Sequence, residues 1–136
     1  MMNSLILKTV GRILLIWMLL FSWWVLLRGQ SAPGGGFIGG LIASCALALY
    51  LLSYGISRLQ QLIVLSFKSW MCVGGLMLIV TGLLQFSPRV VLSLARNQHD
   101  VALSVIHLLF DAGIYIVVCF SVLSILVELE RAKINS

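Results

Sequence analysis

Asp111 is the residue of this chain with the most evident chemistry. It lies in the apolar run 101–127, and an aspartate at the centre of a membrane helix costs roughly 2.5–3.5 kcal/mol to insert, so it needs a partner or a purpose. Asp100, Ser104, His107, Asp111 and Tyr115 follow one another by four, three, four and four residues, which places them on one face of a helix. The stripe is expected to run from one membrane surface to mid-membrane. Desolvation favours the neutral form of a buried carboxyl or imidazole, and a neighbouring opposite charge favours the ionised form. Asp111 and His107 are therefore candidates to relay protons or a monovalent cation, and His107 is one turn away, close enough to share a proton. The same residue types also serve as hydrogen-bonding anchors between helices. Lys68 is the third candidate: its amine snorkels to the surface if its helix starts at Trp70, or is drawn below the headgroups if the helix starts earlier. His99, in a loop, carries little weight.

The elements that must position these residues are set by composition. Of 136 residues, 61% are hydrophobic and 10% charged, and mean hydropathy is +1.12, which points to a bilayer as the solvent. Four apolar runs are long enough to cross it, about 6–27, 36–54, 69–86 and 101–127. The expectation is a single all-α membrane domain, 1–136, with four transmembrane helices. Lys8 and Arg12 precede the first run as they would in a secretory signal, but the run is too long, it contains Trp17, Trp23 and Trp24, and no small-residue cleavage site follows it. It is expected to be retained.

Lys8, Arg12, Arg58, Lys68, Arg131 and Lys133 share the side that holds both termini, against Arg28, Arg89 and Arg96 on the other, which predicts cytoplasmic termini. The net charge of +5 is thus a set of membrane-flanking residues, not the basic face of a nucleic-acid-binding module. Trp23, Trp24 and Trp70 fall near span ends and read as interfacial anchors. Cys45, Cys72 and Cys119 fall inside spans without metal-ligand spacing, so neither disulfide nor metal site is expected. No cofactor motif and no nucleophile–base constellation is present. The connection around "ISRLQQLIVLSF" either lies at the interface or extends the third span inward. The tail "ELERAKINS" reads as a short charged extension of the last helix.

One stretch, "SAPGGGFIGG" at 31–40, is unusual at the start of a span. Gly36, Gly40, Ser44 and Ala48 recur every four residues, and Gly35, Gly39 and Ala43 run beside them, so two adjacent stripes carry almost no side chain. In lipid, helices associate through close backbone contact and interhelical hydrogen bonds, because apolar side chains gain little by leaving one apolar medium for another. Pro33, Gly34, Gly35, Gly36, Gly39, Gly40 and Ser44 are therefore read as a packing motif, with Pro33 just ahead of the first turn. A tightly packed second helix is predicted.

The whole string "SAPGGGFIGGLIASCALAL" resembles the signature of the MrpB/MnhB component of multisubunit Mrp (Mnh) cation/proton antiporters, in which Pro-Gly-Gly-Gly-Phe leads into a second helix containing Gly-Gly. "LLFDAGIYIVV", 108–118, resembles the family's last-helix block at Phe110, Asp111, Gly113 and Tyr115. Gln30 stands where relatives commonly carry a histidine before the proline. The resemblance covers nearly the full chain. It implies an accessory subunit in a bacterial plasma membrane, needed for assembly and a contributor to the ion path. The complex would exchange Na⁺, or in some cases K⁺, for protons, and its larger subunits would resemble proton-pumping subunits of respiratory complex I. No covalent catalysis by this chain alone is implied. The readings set against it are a homologous subunit of a membrane-bound hydrogenase or related respiratory complex, a purely structural membrane subunit, and a small autonomous exporter. Against the last, exporters of this size carry a glutamate in the first span, and 6–27 contains no acid.

Overall fold

The computed structural model describes residues 2–29, 34–63, 66–89, 92, 96 and 100–135. Pro33, Gln30 and His99 lie outside them. The fold is all-α. Four helices are long and apolar enough to cross a membrane: α1, Met2–Arg28; α2, Gly35–Tyr54; α4, Phe67–Phe86; and α5, Asp100–Asn135. Between α2 and α4 lies the short α3, Ile56–Leu62.

The expected ends of the spans shift. α1 begins ahead of residue 6, and α5 carries on through the charged tail to Asn135; Glu128 and Arg131, three apart, pair at 3.4 Å on the helix surface, and Glu, Arg, Ala and Lys are good helix formers. The connection 55–66 becomes a helix of its own instead of lengthening the third span. Gly55 separates it from α2 with φ 90° and ψ 173°, a conformation open essentially to glycine alone. Ile63 is extended, and Ser66 caps α4, its hydroxyl accepting a hydrogen bond from the Ser69 amide at 3.4 Å. Gly34, with φ 93°, makes the corresponding left-handed entry into α2.

Helix neighbours form a row, α1–α2–α5–α4. α2 and α5 are the interior members. α2 runs parallel to α5, since Gly36 abuts Asp111 and Gly40 abuts Tyr115; α4 runs antiparallel to α5, since Gly74 abuts Val117 and Leu78 abuts Gly113. Both chain ends therefore lie at one end of the row, called here the terminal end, and the α1–α2 turn lies at the other. The core follows α2 and α5: Ala43, Ala46, Leu47 and Leu51 pack with Cys119, Leu123 and Val127, and α1 adds Leu15. Leu59 of α3 is fully buried against this cluster at the terminal end.

Candidate functional site

The two bare stripes of α2 face two different helices. A Cβ on Gly35 would fall against the Gly29 backbone and 3.1 Å from the Val25 carbonyl, and one on Gly39 would lie 3.1 Å from the Ser22 carbonyl, all on α1 or its last turn. A Cβ on Gly36 would collide with the Asp111 carbonyl oxygen and lie 3.0 Å from its Cα, and one on Gly40 would lie 2.9 Å from the Tyr115 carbonyl. α5 thus receives the Gly36–Gly40 stripe and α1 the Gly35–Gly39 stripe. Ser44 is buried, its hydroxyl donating to the Leu41 carbonyl of its own helix at 2.7 Å.

Asp111 sits where these contacts converge. Its backbone rests on Gly36, and a carboxylate oxygen lies 3.3 Å from where a Gly29 Cβ would project. It is partly buried, and no hydrogen bond or ion pair to it occurs among the described residues. The carboxylate is level with the first turn of α2 and the α1–α2 turn, because α1 and α2 stop there while α4 and α5 continue past it, Gly82 facing Phe110. Counting along one apolar run cannot reveal that its neighbours end earlier.

The polar stripe passes from exposed to enclosed along α5. Ser104 and His107 are exposed, Asp111 and Tyr115 partly buried. His107 is close enough to act electrostatically on Asp111. One turn on, the Tyr115 hydroxyl lies 2.7 Å from Ser22 Oγ, and Ser22 Oγ donates to the Gly39 carbonyl at 2.7 Å. A serine hydroxyl carries one proton, so the consistent arrangement is Tyr115 donating to Ser22 and Ser22 to Gly39. This chain of bonds ties α5, α1 and α2 together.

Ser22 does not stand out in the sequence. Its signal there is its place on the buried face of α1, where Gly11, Leu15, Ser22 and Leu26 recur at spacings of four, seven and four. A second small-residue crossing is equally inconspicuous: a Cβ on Gly74 would lie 3.2 Å from the Gly113 carbonyl.

Lys68 does not join Asp111 and His107. It is exposed in the first turn of α4 at the terminal end, lining a cavity with Gln60, Ser124 and Glu128 among others; from Asp111 to Ser124 is about 20 Å of helix at 1.5 Å per residue. Among the described residues no three His, Cys, Asp or Glu side chains converge as a metal ion would require. What the site offers is one carboxylate level with the end of α1 and the start of α2, reached along an exposed polar face and held by backbone contacts on two sides.

Residues 6–124 match the model of a domain related to the MnhB subunit of Na⁺/H⁺ antiporters. The chain is 39% identical over 84 residues to the protein of Bacillus subtilis named as the B component of a Na⁺/H⁺ antiporter, a match covering 62% of this chain and 59% of that protein. It is 30% identical over 137 residues to the protein named as antiporter subunit mnhB2 in Staphylococcus haemolyticus, covering 96% of this chain and 97% of the relative. The corresponding protein of Staphylococcus saprophyticus is 31% identical over 141 residues, with the same coverage.

Proposed function

Because this chain belongs to the family of MnhB-related subunits of Na⁺/H⁺ antiporters, we propose that it is a small multi-pass component of a multisubunit complex exchanging a monovalent cation, Na⁺ or K⁺, for protons. The complex carries the transport activity; this chain supports its assembly and contributes an acid to the ion path. The membrane is the bacterial plasma membrane, with both termini cytoplasmic: six Lys and Arg residues flank the terminal end and three the other.

The observation that carries the reading is the setting of Asp111. A carboxylate within an apolar helix, wedged against Gly29 and Gly36, with no hydrogen bond or ion pair among the described residues and His107 as the charge acting on it, is an expensive group to place there. Such a group suits binding and release of a proton or cation delivered by something else. His107, exposed one turn before it, faces the side from which the ion arrives. Tyr115 is committed to Ser22, so the stripe ends there within this chain. Lys68, at the other end, belongs to a separate step at the opposite membrane surface.

A packing role is favoured by a different observation, the Tyr115–Ser22–Gly39 chain and the Gly36–Asp111 backbone contact, which hold three helices in register whatever the charge of Asp111. Asp111→Asn in the complete complex separates the two. The expected result is normal assembly with cation/proton exchange lost; exchange retained at wild-type rate in an assembled complex assigns Asp111 to packing alone. Identification of the proteins that accompany this chain out of native membranes in mild detergent tests the complex itself. Companion subunits carrying redox centres would place the chain in a hydrogenase-type assembly instead.

A further inference from the structure

At the terminal end, a cavity of about 350 Å³ opens between α1, α2 and α3, lined by Arg12, Leu15, Ile16, Tyr50, Tyr54 and Arg58. Its chemistry is divided. Two arginines line it, one from α1 and one from α3, together with the apolar Leu15 and Ile16 of α1; and no carboxylate lines it among the described residues. A third cation stands nearby, the Lys8 ammonium 5.9 Å from the centre of the Tyr54 ring. Tyr50 and Tyr54 are stacked at 4.6 Å, and the Tyr54 hydroxyl donates to the Lys8 carbonyl at 3.2 Å, so the aromatic wall is held in place.

The level of the cavity follows from the packing. Gly11 abuts Ser53, a Cβ there falling 2.7 Å from its Oγ, so Arg12 stands beside the last turn of α2. Arg58 lies in α3, immediately beyond that turn. Arg12 is thus level with the last turn of α2 and Arg58 lies just past it, while α1 and α5 continue further toward the chain ends.

The geometry points to a binding site for the phosphate of an anionic phospholipid, drawn from the leaflet at the terminal end. Arg12 and Arg58 would grip the phosphate oxygens, an acyl chain would lie along Leu15 and Ile16, and Tyr50 and Tyr54 would border the glycerol region. Guanidinium groups match phosphate with paired, charge-assisted hydrogen bonds. With cations as the only charged groups lining the cavity among the described residues, a choline or ethanolamine head finds no counter-charge, and a headgroup of net negative charge is preferred. The inference rests on the membrane-spanning fold and not on antiport, so it stands or falls separately from the function proposed above.

The test uses the full chain in detergent, offered equal amounts of phosphatidylglycerol and phosphatidylcholine with identical acyl chains, with retained lipid read by native mass spectrometry. Wild type is expected to retain phosphatidylglycerol in excess. The Arg12→Gln/Arg58→Gln variant should lose roughly twenty-five-fold of that excess, at about fivefold for each surface cation; where the double variant does not fold, either single variant should lose about fivefold. Arg89→Gln, which removes the same charge at the opposite end, should leave retention unchanged. Added inorganic phosphate should not displace the lipid. Equal retention of the two lipids by wild type, an unchanged excess in a folded Arg12 or Arg58 variant, or displacement by inorganic phosphate would overturn the assignment, the last giving the site to soluble phosphate.

Discussion

At the scale of single residues, what matters most in this molecule is where a side chain is missing. Gly36 and Gly75 are both glycines inside apolar helices, yet they stand in opposite environments. A methyl group on Gly36 collides with the Asp111 carbonyl, which as backbone cannot swing aside, whereas one on Gly75 meets nothing within 4 Å. Gly36→Ala is therefore expected to destabilise the α2–α5 crossing by about 1–3 kcal/mol, and Gly75→Ala to be neutral or to gain up to about 1 kcal/mol from helix propensity. Unfolding in detergent measures both, and equal effects would contradict the packing described. The Tyr115–Ser22 bond offers a second test. In a double-mutant cycle of Ser22→Ala and Tyr115→Phe, a coupling of about 0.5–1.5 kcal/mol is expected; zero coupling would show that the two hydroxyls do not pair. The glycine stripes can be read from spacing alone, but a glycine says only that something comes close. That α1 takes one stripe and α5 the other depends on side chains more than seventy residues apart, such as Ser22 and Tyr115.

Among the elements, α3 is the one that local patterning left open. No glycine or proline separates Leu59 from Phe67, so nothing in that stretch forbids a helix running straight into α4. The helix stops instead at the extended Ile63, after the Gly55 turn has set α3 off from α2 and Leu59 has been buried fully with the core cluster of α2 and α5. Leu59→Ala removes most of that docking and is expected to cost about 2–5 kcal/mol locally. Amide hydrogen exchange over 56–62 should then accelerate while exchange in the middle of α2 stays slow. Uniform acceleration along both helices would mean that α3 is part of the same cooperative unit. The α3 position also sets the cavity that contains Arg58, so the same variant weakens lipid retention there.

For the whole molecule, the arrangement in a row has the largest consequences. α2 is half buried, while α1 packs mainly along α2, with a smaller contact to α5 that includes Ser22–Tyr115, and α4 packs along α5; both keep broad apolar faces outward, including Trp17, Leu20, Leu76 and Leu83. With helix axes 8–10 Å apart, the two outer members of such a row are separated by roughly 20 Å or more, against roughly 10 Å for neighbours in a closed bundle. Spin labels at Leu20→Cys and Leu76→Cys, which are exposed at similar depth, can distinguish the two arrangements once the exposed Cys45 and Cys72 are changed to Ser. A distance distribution centred above roughly 20 Å is expected, and one near roughly 10 Å would return a closed bundle.

The class of the protein, its four crossings and its family were present in local features: runs of transfer-favourable side chains, each scored without reference to any other, and two short blocks around Gly34–Gly40 and Phe110–Tyr115. Those quantities add residue by residue, so chain order is enough to read them. Depth and partnership do not add in that way. Asp111 lies beside the α1–α2 turn because two other helices stop at that level, Lys68 stands about 20 Å of helix away from it, and Ser22 matters because Tyr115 reaches it. These are relations between surfaces brought together only when the helices pack, and in an apolar solvent the fit of those surfaces, more than the hydrophobicity of either one, selects the neighbours.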